Sequence, residues 1–295
     1  MKAAAWRADA LLLLTAIIWG FAFVAQRVGM EHLGPFAFNS ARFTLGSLSL
    51  LPLVWLFPDR QQSGFRRLLL GSLAAGSMLY AGSSLQQIGL VYTTAGNAGF
   101  ITGLYIVLVP LLGLFWGQKT HRFTWFGATL ALVGLFMLSV TDELTFARGD
   151  LLEFIGAFFW AGHVLVIGWL CRRMDPIRLA LGQFVVCALL SLASSLVVEN
   201  IDLEGMRSAW LPIAYAGILS VGIAYTLQVV AQRQAPPAHA AIILSLEAVF
   251  AALGGWLFLG ELLDMRGVLG CGLMLSGMLL SQMPVVLRLA RKNIG

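Results

Sequence analysis

Apolar residues run along this chain in ten long blocks, each ended by charge, proline or glycine. They lie at roughly 9–28, 36–57, 68–90, 96–116, 124–140, 150–171, 177–198, 210–231, 238–259 and 266–287. At 1.5 Å per residue, about 20 residues of helix cross a hydrocarbon core ~30 Å thick. Each block is therefore predicted to be a transmembrane helix, and the connections are too short to hold a folded soluble domain. Leu11 to Val28 is too long for a signal h-region and has no small-residue cleavage site, so it is predicted to stay as the first span. The pattern predicts an all-α polytopic membrane protein with ten transmembrane helices.

The polar and aromatic interruptions repeat. Trp19 and Trp160 lie 141 residues apart, as do Pro35 and Pro176, and Phe43 and Phe184. The offset moves to 142 for Leu85-Gln86 and Leu227-Gln228, and to 143 for the pairs Gly117 and Gly260, Gly127 and Gly270, and Gly134 and Gly277. A series that drifts in one direction predicts two five-helix repeats, residues 1–145 and 146–295. Five spans is an odd number, so the second copy must be inverted. The loops agree: Arg60, Arg66 and Arg67 make one basic, while Glu199, Asp202 and Glu204 make its counterpart acidic. Inverted repeats of this kind are a recurrent design of secondary transporters.

Composition changes the picture only by naming the solvent. Of the 295 residues 59% are hydrophobic and 11% charged, against about 25% charged in soluble domains. The net charge of +5 does not point to nucleic acid, because the cations cluster at block ends. With the N-terminus inside, 14 of the 19 Lys and Arg residues fall on cytoplasmic segments, and only Arg27, Arg148, Arg207 and Arg266 on outer ones. Both termini are thus predicted to be cytoplasmic. Cys171, Cys187 and Cys271 show neither disulfide nor zinc spacing and read as packing residues.

Candidate chemistry starts from Glu247, a carboxylate in the middle of the ninth block. Ionisable groups at that depth are costly and usually face a bundle interior or a wet cavity. His239 lies eight residues earlier on the same face, about 12 Å away along the axis. The repeat places Asn97 and Tyr105 at the equivalent positions, so these four residues are expected to form a polar track. The alternative is that Glu247 is hydrogen-bonded helix glue and His239 an interface residue. Arg42, in the second block, is read with Glu247 as one of the only two formal charges well inside spans. It either pairs with Glu247 or snorkels to the headgroups.

Trp19 and Trp160 fall at mid-span rather than in the interfacial belt where tryptophan concentrates. Trp19, Phe23 and Gln26 share a face, as do Trp160 and His163; an aromatic-lined cavity suits amphipathic solutes, ordinary packing being the other reading. Tyr80, Gln86 and Gln87 stripe the third block, and Tyr225, Gln228 and Gln232 the eighth. Amides of this kind bind solutes or stitch helices together. Gly127, Ala131 and Gly134, mirrored by Gly270, Met274 and Gly277, form small-residue faces expected to pack within one chain.

The sequence contains no GxxxxGK[ST] loop, no HExxH helix and no clustered aspartates, so no ATP site, cofactor or metal is expected and an enzyme is not. The chain resembles the drug/metabolite transporter superfamily in its EamA-type ten-helix branch. The resemblance rests on Trp19-Gly20, Arg42-Phe43, Gly103 to Pro110, Leu246 to Phe250 and Leu259-Gly260-Glu261. Ala248 stands where members often carry proline, and Gln118 where they often carry glutamate. What the resemblance implies is transport of a small organic metabolite, amino acid or drug-like solute across a bacterial inner membrane, often outward; the duplication, which already supplies both halves of a pseudo-dimer, predicts a monomer. A lipid scramblase or membrane scaffold is the alternative, distinguished by a polar groove open to lipid. Reporter tags at the two ends of the chain are expected on the same, cytoplasmic side; tags on opposite sides would refute the even number of spans.

Overall fold

The structure, a computed structural model, describes residues 2–57, 64–139, 148–200, 202–262 and 264–294. Among the described residues every regular element is helical: α1 Lys2–Gly29, α2 Pro35–Leu56, α3 Phe65–Tyr92, α4 Ala95–Gly103, α5 Tyr105–Phe115, α6 Arg122–Ser139 and α7 Arg148–Leu170. Then follow α8 Pro176–Val198, α9 Leu203–Ser208, α10 Trp210–Ala214, α11 Thr226–Gln232, α12 Pro237–Leu244, α13 Glu247–Gly254 and α14 Met265–Ile294. Two π-helical stretches, Tyr215–Tyr225 and Gly255–Leu259, continue α10 and α13.

Among the described residues seven helices or joined helices are long and apolar enough to cross a membrane: Trp6–Gly29, Phe65–Tyr92, Ala98–Phe115, Arg148–Leu170, Pro176–Val198, Trp210–Gln232 and Pro237–Leu259. Arg122–Met137 and Met265–Ser281 are shorter apolar helices. The 22-residue α2 is not among the seven, because Asn39, Ser40 and Arg42 dilute its apolar character. The distribution of side chains is that of a protein dissolved in lipid. Trp55, Phe115, Trp169 and Val197 point outward, while Asn39, Gln87, Gln183 and Gln228 are buried. Cys171 and Cys187 are buried and unpaired, as packing residues should be.

Helix ends are satisfied across elements. Glu199, just past the C-terminal end of α8, accepts hydrogen bonds from the Phe36 and Ala37 N–H groups in the first turn of α2, at 2.9 and 2.7 Å. At the opposite end Arg178 donates to the Val54 and Phe57 carbonyls at 3.3 and 3.1 Å. An anion at its N-terminus and a cation at its C-terminus complement the dipole of α2 and occupy its orphan groups. Glu261 does the same for α4, accepting from the Ala95 and Gly96 N–H groups; partial burial raises its carboxyl above the ordinary value, with those bonds and Arg27 opposing the shift.

The matched residues of the two halves occupy matched surroundings. Leu104 and Leu246, 142 apart, sit at helix interruptions of the same shape (φ −59°, ψ −17° and φ −62°, ψ −12°). Gly117 and Gly260 each close a helix with φ of 69°, a conformation glycine adopts without strain. A side chain on Gly76 would strike Val186, and one on Gly217 would strike Leu45, the same pair of contacts with the halves exchanged. The offset is 141 at Gly76 and Gly217 and 142 at Leu85 and Leu227, so one additional residue falls within Tyr215–Tyr225. It is 142 at Gly113 and Gly255 and 143 at Gly117 and Gly260, so another falls within Gly255–Leu259. Both drifts in the repeat therefore coincide with π turns, whose wider i→i+5 bonding absorbs an inserted residue.

The small-residue faces pack against each other within the chain, α6 on α14. A Cβ on Gly134 would lie 2.5 Å from the Gly270 carbonyl oxygen, and one on Gly277 2.5 Å from that of Gly127. Gly134→Ala is expected to lower the thermal unfolding midpoint in detergent, at a cost of about 1–3 kcal/mol, because backbone cannot move aside. Gly272→Ala, where a Cβ meets nothing within 4 Å, is expected to leave the midpoint unchanged or raise it.

Candidate functional site

The site forms where the two interrupted helices meet. Between α4 and α5, and again between α12 and α13, the i→i−4 ladder gives way to i→i−3 bonds: Leu104 N–H to Ile101 and Leu246 N–H to Ile243. The Ser245 hydroxyl donates to the Ile242 carbonyl at 2.9 Å, a back-bond that bends helices. The helix is thus interrupted just before Glu247 with alanine, not proline, at position 248. Such local 3₁₀ geometry inside a span often marks a hinge. Tyr105 and Glu247 open the second half of each broken helix, and the Tyr105 hydroxyl donates to Glu247 Oε1 at 2.8 Å. Both side chains are buried, at 3% and 4% exposure.

Around this bond lies a cavity of about 30 Å³. The chamber is therefore contracted, far below the roughly 300–1,000 Å³ of a pocket that holds a drug-sized ligand. Ten of the fourteen sequence-predicted site residues line it: Trp19, Phe23, Arg42, Gln86, Tyr105, Trp160, His163, Tyr225, Gln228 and Glu247. Tyr225 is the hub of the aromatic wall. Its ring centroid is 4.5 Å from Trp19, 6.2 Å from Phe43, 6.3 Å from Trp160 and 6.0 Å from Phe184. Trp19 Nε1 donates to the Ser220 carbonyl at 3.3 Å, and His163 Nε2 lies 2.8 Å from Gln183 Oε1.

Three predicted residues stand elsewhere. His239 contacts Asp9 at 2.9 Å and Ser281 at 3.2 Å, so the expected track from His239 to Glu247 does not form. Its helix begins beside α1 and α14, whose polar groups reach the imidazole first. Tyr80 bonds Ser194 and stacks on Phe36, and Gln87 donates to the Gln26 carbonyl at 3.4 Å; both stitch helices rather than face the chamber. The Asn97 side chain lies outside the described residues. Arg42 follows neither sequence alternative. It is 1% exposed, so it does not snorkel, and among the described residues no carboxylate comes within 4.0 Å of it.

Glu153, near the start of α7, is a further buried charge that the sequence reading did not single out. It is fully buried in α7 under Gly89 and accepts from the Thr102 hydroxyl at 3.1 Å, while Gln86 donates to Thr102 at 3.2 Å. Its position near the start of a block makes it look like a loop acid, and only the packing of α3 and α4 over α7 encloses it. Thr102, Ser220 and Gln26 also line the chamber. Gln26 was legible from its face shared with Trp19; Thr102 and Ser220 gave no signal distinct from ordinary polar packing.

Comparison with known proteins adds to this geometry. The chain matches the EamA-like transporter family over residues 6–140 and again over residues 147–283. It is 32% identical over 281 residues to an uncharacterized transporter of Archaeoglobus fulgidus, covering 94% of this chain and 86% of that one. It is 25% identical over 272 residues to the uncharacterized inner membrane transporter YedA of Escherichia coli K12, covering 90% and 87%. A solved crystal structure superposes with a TM-score of 0.77 at 18% identity over 97% of this chain and 99% of that one, a likeness of fold.

A double-mutant cycle is expected to find Tyr105 and Glu247 coupled. Tyr105→Phe should destabilise the native chain by about 1–3 kcal/mol, the cost of leaving a buried acceptor unsatisfied, and far less in a Glu247→Leu background. Equal effects in the two backgrounds, read from unfolding midpoints, would mean the bond contributes nothing.

Proposed function

The chain belongs to the EamA-like transporter family, and from that premise we propose that it is a secondary transporter exporting a small organic metabolite, amino acid or drug-like solute across the inner membrane. Two inverted five-helix repeats, residues 1–145 and 146–295 and ten spans in all, rock around the central chamber, with both termini cytoplasmic and one chain as the working unit. The observation that carries this reading is the 2.8 Å bond between Tyr105 and Glu247. It joins two interrupted helices at positions 142 residues apart, at a chamber with aromatic walls. Discontinuous helices crossing at mid-bilayer are where transporters of this type hold solutes and coupling ions.

The contracted chamber supports a gated cycle. A drug-sized ligand fills a pocket of roughly 300–1,000 Å³, so the helices must part before a solute enters. The match of one family to each half, and the name of YedA as an inner membrane transporter, support the duplication and the location. A scramblase requires a polar groove facing lipid, whereas the outward faces here carry Phe154, Phe158 and Leu189. Glu247 is the group assigned to proton coupling, since it alone joins an ionisable carboxyl to a hinge and to the chamber.

Counterflow in proteoliposomes with a broad panel of metabolites tests the proposal. Solute-dependent flux is expected, stimulated by a pH gradient in the native protein and insensitive to it in Glu247→Gln. No flux with any solute would overturn transport; gradient-insensitive flux in the native protein would remove the coupling alone.

A further inference from the structure

Among the described residues Arg42 is the largest fully buried side chain, and no carboxylate comes within 4.0 Å of it. The guanidinium carbon lies 5.0 Å from the centroid of Phe43 and 5.9 Å from that of Phe38. Those rings offset part of the cost of burying a cation through their quadrupoles. They accept no hydrogen bonds. An arginine cannot shed its proton at any accessible pH, so burial leaves its N–H groups in need of acceptors.

The groups left over are specific. Nε and Nη2 are both buried with no acceptor among the described residues. These two nitrogens share one edge of the planar guanidinium. Their N–H bonds run parallel at the spacing of the two oxygens of a carboxylate, the basis of side-on bidentate recognition. Arg42 lines the same chamber as Trp19, Phe23, Trp160 and Tyr225, whose faces form an apolar wall beside it. The other unpartnered donors at the chamber, Trp160 Nε1 and Gln228 Nε2, are neutral.

We infer that the Nε and Nη2 edge of Arg42 is a carboxylate-binding site, and that the transported solute is a small monocarboxylate with an apolar or aromatic body. This inference rests on the transport reading above and specifies its cargo. Arg42 is the only fixed cation at the chamber, and Glu247 beside it brings no positive charge. A dianion such as a phosphate monoester would therefore carry an uncompensated charge into a site shielded from water. A neutral solute would leave the arginine edge unsatisfied. One carboxylate answers both constraints, and the aromatic wall takes the remainder of the molecule.

The test uses matched acid and amide probes on the purified full chain in detergent at neutral pH: phenylacetate with phenylacetamide, and hexanoate with hexanamide. The acids are expected to raise the unfolding midpoint in a concentration-dependent way and the amides not. Arg42→Gln should weaken binding of the acids by about 10- to 100-fold, the loss expected for a charged hydrogen-bond pair. Arg42→Lys, which keeps the charge without the fork, should fall between, and it carries the test if the glutamine variant does not fold. Equal shifts by acid and amide, no shift by either, or an undiminished preference in the variants would overturn the inference. Labelled phenylacetate in proteoliposomes separates the two claims. Acid-selective binding without flux would refute transport and leave the carboxylate site standing, whereas flux confined to neutral solutes would refute the site and leave transport standing.

Discussion

Inside hydrocarbon, a backbone polar group with no partner costs several kcal/mol, so a helix can be interrupted only where protein encloses it. This constraint organises the molecule. The joined helices Ala95–Phe115 and Pro237–Leu259 are each interrupted near the middle, at Leu104 and Leu246. Both interruptions are covered: α7 packs along α4 and α5, and α1 packs along α12 and α13. The hydroxyl of Tyr105 and the carboxyl of Glu247 then meet across the gap. The polar chamber follows from this arrangement, because groups that lipid cannot solvate have to face one another.

The surrounding helices divide the remaining work. The α6–α14 pair is held by contacts so close that a side chain at Gly127, Gly134 or Gly277 would strike the backbone of the facing helix. The α2–α8 pair is held differently, by Glu199 at one end of α2 and Arg178 at the other, with the aromatic contact of Phe43 and Phe184 between. Contacts through glycine backbones resist sliding, while capping bonds at helix ends can be exchanged for water.

The π-helical stretches show how the second half of the chain takes up an additional residue without losing the geometry that its matched positions share with the first. An inserted residue in a regular helix rotates everything after it by about 100° and would turn Gln228 away from the chamber. The wide turn in Tyr215–Tyr225 takes up that residue before Tyr225, so Tyr225 and Gln228 still face inward. The turn in Gly255–Leu259 does the same ahead of Gly260, and Glu261 still reaches the N-terminus of α4.

The linear pattern of residues determined the helical class and the spaced matches between the two halves, because apolar length and pairs such as Trp19 with Trp160 are properties of the chain itself. It also picked out the chamber through Glu247, Arg42 and the mid-span tryptophans, since polar or amphipathic groups within apolar blocks have few places to go. Tertiary structure alone decided which polar groups meet. His239 reads like a partner of Glu247 on one helical face, yet Asp9 from α1 reaches it first. Glu153 reads like a loop acid, yet α3 and α4 close over it. Periodicity assigns a side chain to a face of its own helix, but the neighbour on that face comes from residues far away in sequence. Burial and pairing are set by that neighbour.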